Sequence, residues 1–216
     1  PDAEALAGRI AAAVAQLISS QREDGAWSWS GRPDQGEPDR YLTSRVVWAL
    51  SVARQSGFAV QNESFNKAVE SLKTAFSGSS RADRVGQAIL LHGLAAAGEA
   101  DFAHANRLYR DRNSLKQAEL VHLALVFAEL DRKETAGELL RMVNLPNDPK
   151  TANQRKAQSL RHSEPWLNSG IELRAMYLLA LQAIDPDHAD VAKLADWLLA
   201  ARAGSRWPIT GIVRPA

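Results

Sequence analysis

Apolar positions recur along the chain at helical spacing, in two kinds of segment. In the first kind they line one face. The sets are Leu6, Ile10, Val14 and Leu17; Phe65, Ala68, Val69, Leu72 and Phe76; and Phe102, Ala105, Leu108 and Tyr109. Two more follow: Ala136, Leu139, Leu140 and Val143, then Val191, Leu194, Ala195 and Leu198. Steps of three and four residues put each set on one stripe of an α-helix. Mostly polar residues lie between, so each helix packs on one side and meets water on the other. In the second kind apolar residues run nearly all round, as in 46–53, 88–95, 120–128 and 175–181. Such a helix needs cover on every face.

The two kinds alternate through nine predicted helices, and strand signals are nearly absent. Gly57, Gly98, Asp131 and the Asp185-Pro186 pair follow the four buried helices as stop signals. Starts of the buried helices recur at roughly 30 to 50 residues, the period of a helical-hairpin repeat. Two architectures fit: an open solenoid, or a closed α/α toroid with buried helices inside and striped helices outside. Solenoid hairpins are usually striped on both helices, so the asymmetry favours the toroid. The expectation is an all-α, partial α/α toroid over 1–216, a single domain.

Links from a striped to a buried helix are unequal. Residues 21–40 and 144–169 are too long for passive connectors, though a short extra helix near 152–159 would shorten the second. Tryptophans gather there: Trp27 and Trp29 in the first link, Trp166 in the second, and Trp207 in the tail. In an antiparallel ring these links share one rim, and that rim is the place to look for function.

Composition narrows the function classes. Basic and acidic residues number 26 and 25, a net charge of +1, so no single-sign field exists to recruit nucleic acid. There is no cysteine, which removes disulfides, a Cys nucleophile and Cys-ligated zinc from this chain. No apolar run approaches the ~20 residues of a membrane span. The chain begins at Pro1 and ends on an unfinished tail, so it is expected to be a piece of a longer multidomain chain that carries any targeting signal elsewhere.

Two motifs carry a resemblance. Gln21-Arg22-Glu23-Asp24-Gly25-Ala26-Trp27, followed by the helix led by Leu42-Thr43-Ser44, resembles a turn and the helix after it in the toroid domain of α-2-macroglobulins and complement proteins. Ser44 stands where that family usually has Ala. Segments 175–181 and 191–199, with Trp207-Pro208-Ile209-Thr210, resemble the later helices and Trp-x-x-Thr turn of the same domain. Residues 59–160 match only in helical rhythm.

The resemblance implies protease entrapment by a large protein that changes shape once cleaved. It implies an extracytoplasmic (periplasmic, cell-surface or secreted) location, of bacterial type. The partners it implies are other domains of the parent chain, and a target protease reached through that parent. It also implies, in many members, a Cys–Gln thioester, which a chain without cysteine does not make. The same turn braces the toroid of terpenoid cyclases, so it marks fold more than function.

Candidate chemistry is sparse. Trp27, Trp29, Trp166 and Trp207 are candidates for a rim that binds a partner, or for plugs that close the helix ends. Asp34, Glu37, Asp39 and Glu164 offer the paired carboxylates of a toroidal glycoside hydrolase, or a solvated loop with Asp39 as a helix N-cap. Segment 185–190 reads as a turn with an N-cap at Asp187 and Asp190 in the first helical turn. His92, His104, His122, His162 and His188 show no metal-ligand spacing; His92 and His122 read as core residues. Lys150, Arg155, Lys156, Arg161 and His162 make the second long link basic.

The preferred reading is a domain without a catalytic centre, metal or cofactor, from an α-2-macroglobulin-like protease inhibitor. The alternatives are a toroidal glycoside hydrolase or terpenoid cyclase, and a helical-repeat binding module.

Overall fold

The computed structural model describes residues 2–145 and 170–202. These fold as nine α-helices and a short 3-10 turn, with no strand among them. The helices are α1 (Ala3–Ser19), α2 (Arg40–Gln55), α3 (Asn62–Ser77), α4 (Arg84–Ala96), α5 (Phe102–Arg110), α6 (Gln117–Glu129), α7 (Lys133–Arg141), α8 (Gly170–Ile184) and α9 (Asp190–Ala200). The 3-10 turn is Arg112–Ser114. The chain divides into two compact units, Pro1–Arg110 and Asp111–Ala216. The suggested helix near 152–159 lies outside the described residues.

In the first unit α2 and α4 pack side by side, α3 covers both, α1 lies against α2 and α5 against α4. Every residue of α4 from Gly86 to Ala96 is buried. The approach of α2 to α4 is set at Gly93, where an added Cβ would come within 2.5 Å of Ser44 Oγ and 3.1 Å of a Leu72 methyl. The Ser44 hydroxyl donates to the Ile89 carbonyl at 2.7 Å, so this polar residue sits in the core with its hydrogen bond made. The stripe of α3 is buried at all five expected positions, Phe65, Ala68, Val69, Leu72 and Phe76.

The second unit repeats this layout. α6 packs on α7 and α8, α7 also meets α8, and α9 lies against α8. α6 is buried from Glu119 to Phe127. Its N-terminus is closed by Glu119, whose Oε2 accepts the Lys116 N–H at 2.7 Å.

Helix ends follow the stop signals. Gly57, Gly98 and Asp131 have φ of +86°, +78° and +56°. After each, a backbone N–H reaches back six residues inclusive: Phe58 to Ala53, Glu99 to Leu94 and Arg132 to Phe127. The same left-handed cap therefore closes α2, α4 and α6, and it satisfies carbonyls that a helix end leaves open.

Some expectations differ from the structure. α2 and α8 are not covered all round: Val52 is 44% exposed and Leu179 39%. α2 has three helical neighbours in its unit, and one strip remains open. In α1 only Val14 of the expected stripe is buried, and Leu6 is exposed. Asp187 does not cap α9. That helix starts at Asp190, and its first N–H is accepted by His188 Nδ1 at 3.2 Å. The Pro186 turn takes Asp187 up into itself, too early to reach the helix.

Candidate functional site

The first long link, between α1 and α2, is an ordered loop built around Gln21, Gly25 and Trp27. Gln21 Nε2 donates to the Gly25 carbonyl at 3.0 Å and to the Ser64 carbonyl of α3 at 2.8 Å. Gly25 has φ of +82°, and any Cβ there would collide with the Lys67 carbonyl. The position needs glycine for both reasons. Trp27 is 2% exposed. Its indole N–H donates to the Leu17 carbonyl near the end of α1 at 2.8 Å. Its backbone N–H donates to Thr43 Oγ1 at 3.0 Å, and its carbonyl accepts from Asp39 at 2.8 Å. One short motif thus ties α1, α2 and α3 together through polar bonds, and the ring of Trp27 fills the gap between them rather than facing solvent.

Beyond Trp27 the loop turns outward. Ser28 and Ser30 hydroxyls each donate to the Gln35 carbonyl at 2.7 Å, which folds the loop onto itself. Trp29 is 54% exposed, with its indole N–H donated to Asp39 Oδ2 at 2.8 Å. Asp39 is also the N-cap of α2: its Oδ1 accepts the Tyr41 and Leu42 N–H groups at 2.9 and 2.8 Å. One carboxylate therefore caps a helix and fixes the orientation of an exposed aromatic ring.

Arg40 pairs with Asp83, the N-cap of α4, so the links before α2 and before α4 lie side by side. Arg40 also covers the Tyr41 ring at 4.8 Å. Burial, then the Asp83 charge, pushes the Tyr41 phenol up from its ordinary value, so it stays protonated at neutral pH. Between this loop and one face of α3 runs an open groove of about 810 Å³, lined in part by Asp24, Pro38, Arg40, Lys67 and Thr74. Its acids are largely committed: Asp24 to Arg22, Glu63 to Lys67 and Glu70 to Lys73.

Asp34 and Glu37 are exposed on the loop, and Asp39 is occupied as described. Trp166, Trp207, Glu164 and His162, with the basic residues Lys150, Arg155, Lys156 and Arg161, lie outside the described residues. His92 and His122 are buried, as expected for core histidines. His92 lies against Trp48 with ring centroids 5.2 Å apart, and His104 against Phe76 at 4.9 Å. Among the described residues no cluster of His, Asp and Glu is placed to hold a metal. No described helix is long and apolar enough to cross a membrane. Sequence reasoning missed the Thr43 and Ser64 ends of the brace. It also missed Arg174 stacked on Trp197, whose signal lies in side-chain direction rather than in spacing.

The sequence matches no protein-family profile and no curated protein. Solved structures do match. Native α-2-macroglobulin from Escherichia coli, spanning domain MG7 to the C-terminus, aligns with 94% of this chain at a TM-score of 0.65 and 18% identity. Salmonella α-2-macroglobulin reacted with methylamine aligns with 88% at 0.63 and 17% identity. Escherichia coli α-2-macroglobulin activated by porcine elastase aligns with 90% at 0.59 and 19% identity. The chain spans 32%, 12% and 18% of those three chains respectively. Its nine described helices therefore have the all-helical fold of a segment of bacterial α-2-macroglobulins.

Proposed function

We propose that residues 1–216 are a non-catalytic helical domain of an α-2-macroglobulin-like inhibitor of endopeptidases. In this reading the chain contributes alternating buried and one-sided helices to an α/α toroid, as its resemblance implies. The observation that carries it is the alignment of 94% of the chain with the Escherichia coli protein at a TM-score of 0.65. The brace of Gln21, Gly25 and Trp27 supports it, because the motif that carries the resemblance is the one that holds three helices together. The domain would act as a structural part of a longer extracytoplasmic protein. It would meet neighbouring domains through the exposed Trp29 loop and meet a protease only through its parent. With no cysteine, any thioester of such a protein lies outside these residues.

The test uses the longer protein that carries this chain, mixed with porcine elastase and separated by size exclusion. The protein peak is assayed on a small peptide substrate and on a large protein substrate. Entrapment predicts elastase in that peak with small-substrate activity kept and large-substrate activity lost. Elastase that elutes free and cleaves both substrates overturns the inhibitor reading.

A further inference from the structure

Arg174, in the second turn of α8, is the one buried arginine among the described residues, at 5% exposure. Its guanidinium lies over Trp197 of α9, 4.1 Å from the ring centroid. Other arginines have polar partners: Arg22 has Asp24 and the Gly36 carbonyl, Arg40 has Asp83, Arg54 has Asn62 and Arg112 has Glu138. Among the described residues Arg174 has the Trp197 ring. No described residue accepts a hydrogen bond from it or pairs with its charge, and its Nε is sealed from solvent. The two terminal nitrogens are not sealed in this way, and what little of the side chain reaches the surface leaves room for a partner there. Burial depresses the group below its ordinary value.

A buried charge without an acidic partner is costly, and stacking on an aromatic face offsets only part of that cost. The missing partner must be anionic and must approach end-on, because only the terminal edge is open. A planar carboxylate fits that fork. The solved relatives extend this fold into much longer chains, so a neighbouring polypeptide is available.

We propose that Arg174, held by Trp197, is a docking point for an Asp or Glu side chain from a polypeptide segment outside this chain. The carboxylate is accepted end-on by Nη1 and Nη2. The proposal does not rest on protease inhibition.

The test is an NMR titration of the ¹⁵N-labelled 216-residue chain with acetate as the carboxylate probe. A separate arm uses inorganic phosphate, and ionic strength is held constant. The Trp197 indole N–H, assigned through Trp197→Phe, is the reporter. The expected result is a saturable shift with acetate at lower concentration than with phosphate. In Arg174→Gln the apparent Kd should rise by roughly tenfold or more, as for loss of a bidentate charge-assisted pair. Arg174→Lys keeps charge and stem, so it separates loss of the fork from loss of the fold, and it should weaken acetate binding too. A shift that stays linear, or that survives in both variants, overturns the proposal, as does tighter binding of phosphate. So does a shift of the Trp197 indole N–H without added anion in Glu164→Gln, because the carboxylate would then be the chain's own.

Discussion

At the scale of the residue, His92 shows what burial does to a titrating group. It sits inside the first unit against Trp48, and burial, reinforced by the Arg45 charge, lowers its pKa to about 3 from 6.5. In the unfolded chain it titrates near 6.5. Between those values the unfolded state binds a proton that the folded state refuses, so stability falls as pH falls. The slope from this group approaches about 1.4 kcal/mol per pH unit between pH 6 and 4. Urea midpoints across that range should fall more steeply in the native chain than in His92→Gln; parallel curves would mean that His92 is not held neutral. The sequence placed His92 in the core, since an apolar run surrounds it. It did not reveal Arg174 on Trp197, because residues on two helices meet only when both helices turn the right faces.

At the scale of the element, the repeat is carried by helix ends as much as by stripes. The left-handed caps after α2 and α4 use glycine, and the third, after α6, uses Asp131 at φ +56°. A side chain in that region is strained, less so for Asp than for most residues. Asp131→Gly should therefore raise stability by about 0.5–1 kcal/mol, read as a higher thermal midpoint with unchanged helix content. A lower midpoint would show that the Asp131 side chain makes a contact that outweighs the strain.

Stripes such as Phe65 to Phe76 were legible because burial on one side leaves a 3.6-residue period in the sequence. The cover of α2 and α8 was not. An apolar run asks for neighbours on all sides, but the described helices supply them on only some, leaving Val52 and Leu179 exposed. The cap of α9 was misread because Asp187 and His188 are both near its start, and local sequence does not decide which of them the Pro186 turn leaves free.

At the scale of the whole molecule, the first long link was the most informative stretch. Gln21, Gly25 and Trp27 each do a separate mechanical task, and together they lock three helices. Spacing showed that a turn stood there. The resemblance supplied which fold used it, and at 18% identity the likeness is one of backbone rather than of side chains. Trp27 and Trp29 stood as equal candidates for the rim, yet one is exposed and the other buried, because the loop folds onto itself beyond Trp27 through the Ser28–Gln35 bond.

Each unit keeps its own helical core, and the proposed inhibitor role requires both cores to survive cleavage of the longer protein. Hydrogen exchange on the longer protein, before and after cleavage by elastase, tests it directly. Amides of α2, α4 and α6 should keep the same strong protection in both states, while residues 27–39 change theirs as neighbouring domains move. Loss of protection in α2, α4 and α6 after cleavage would contradict it.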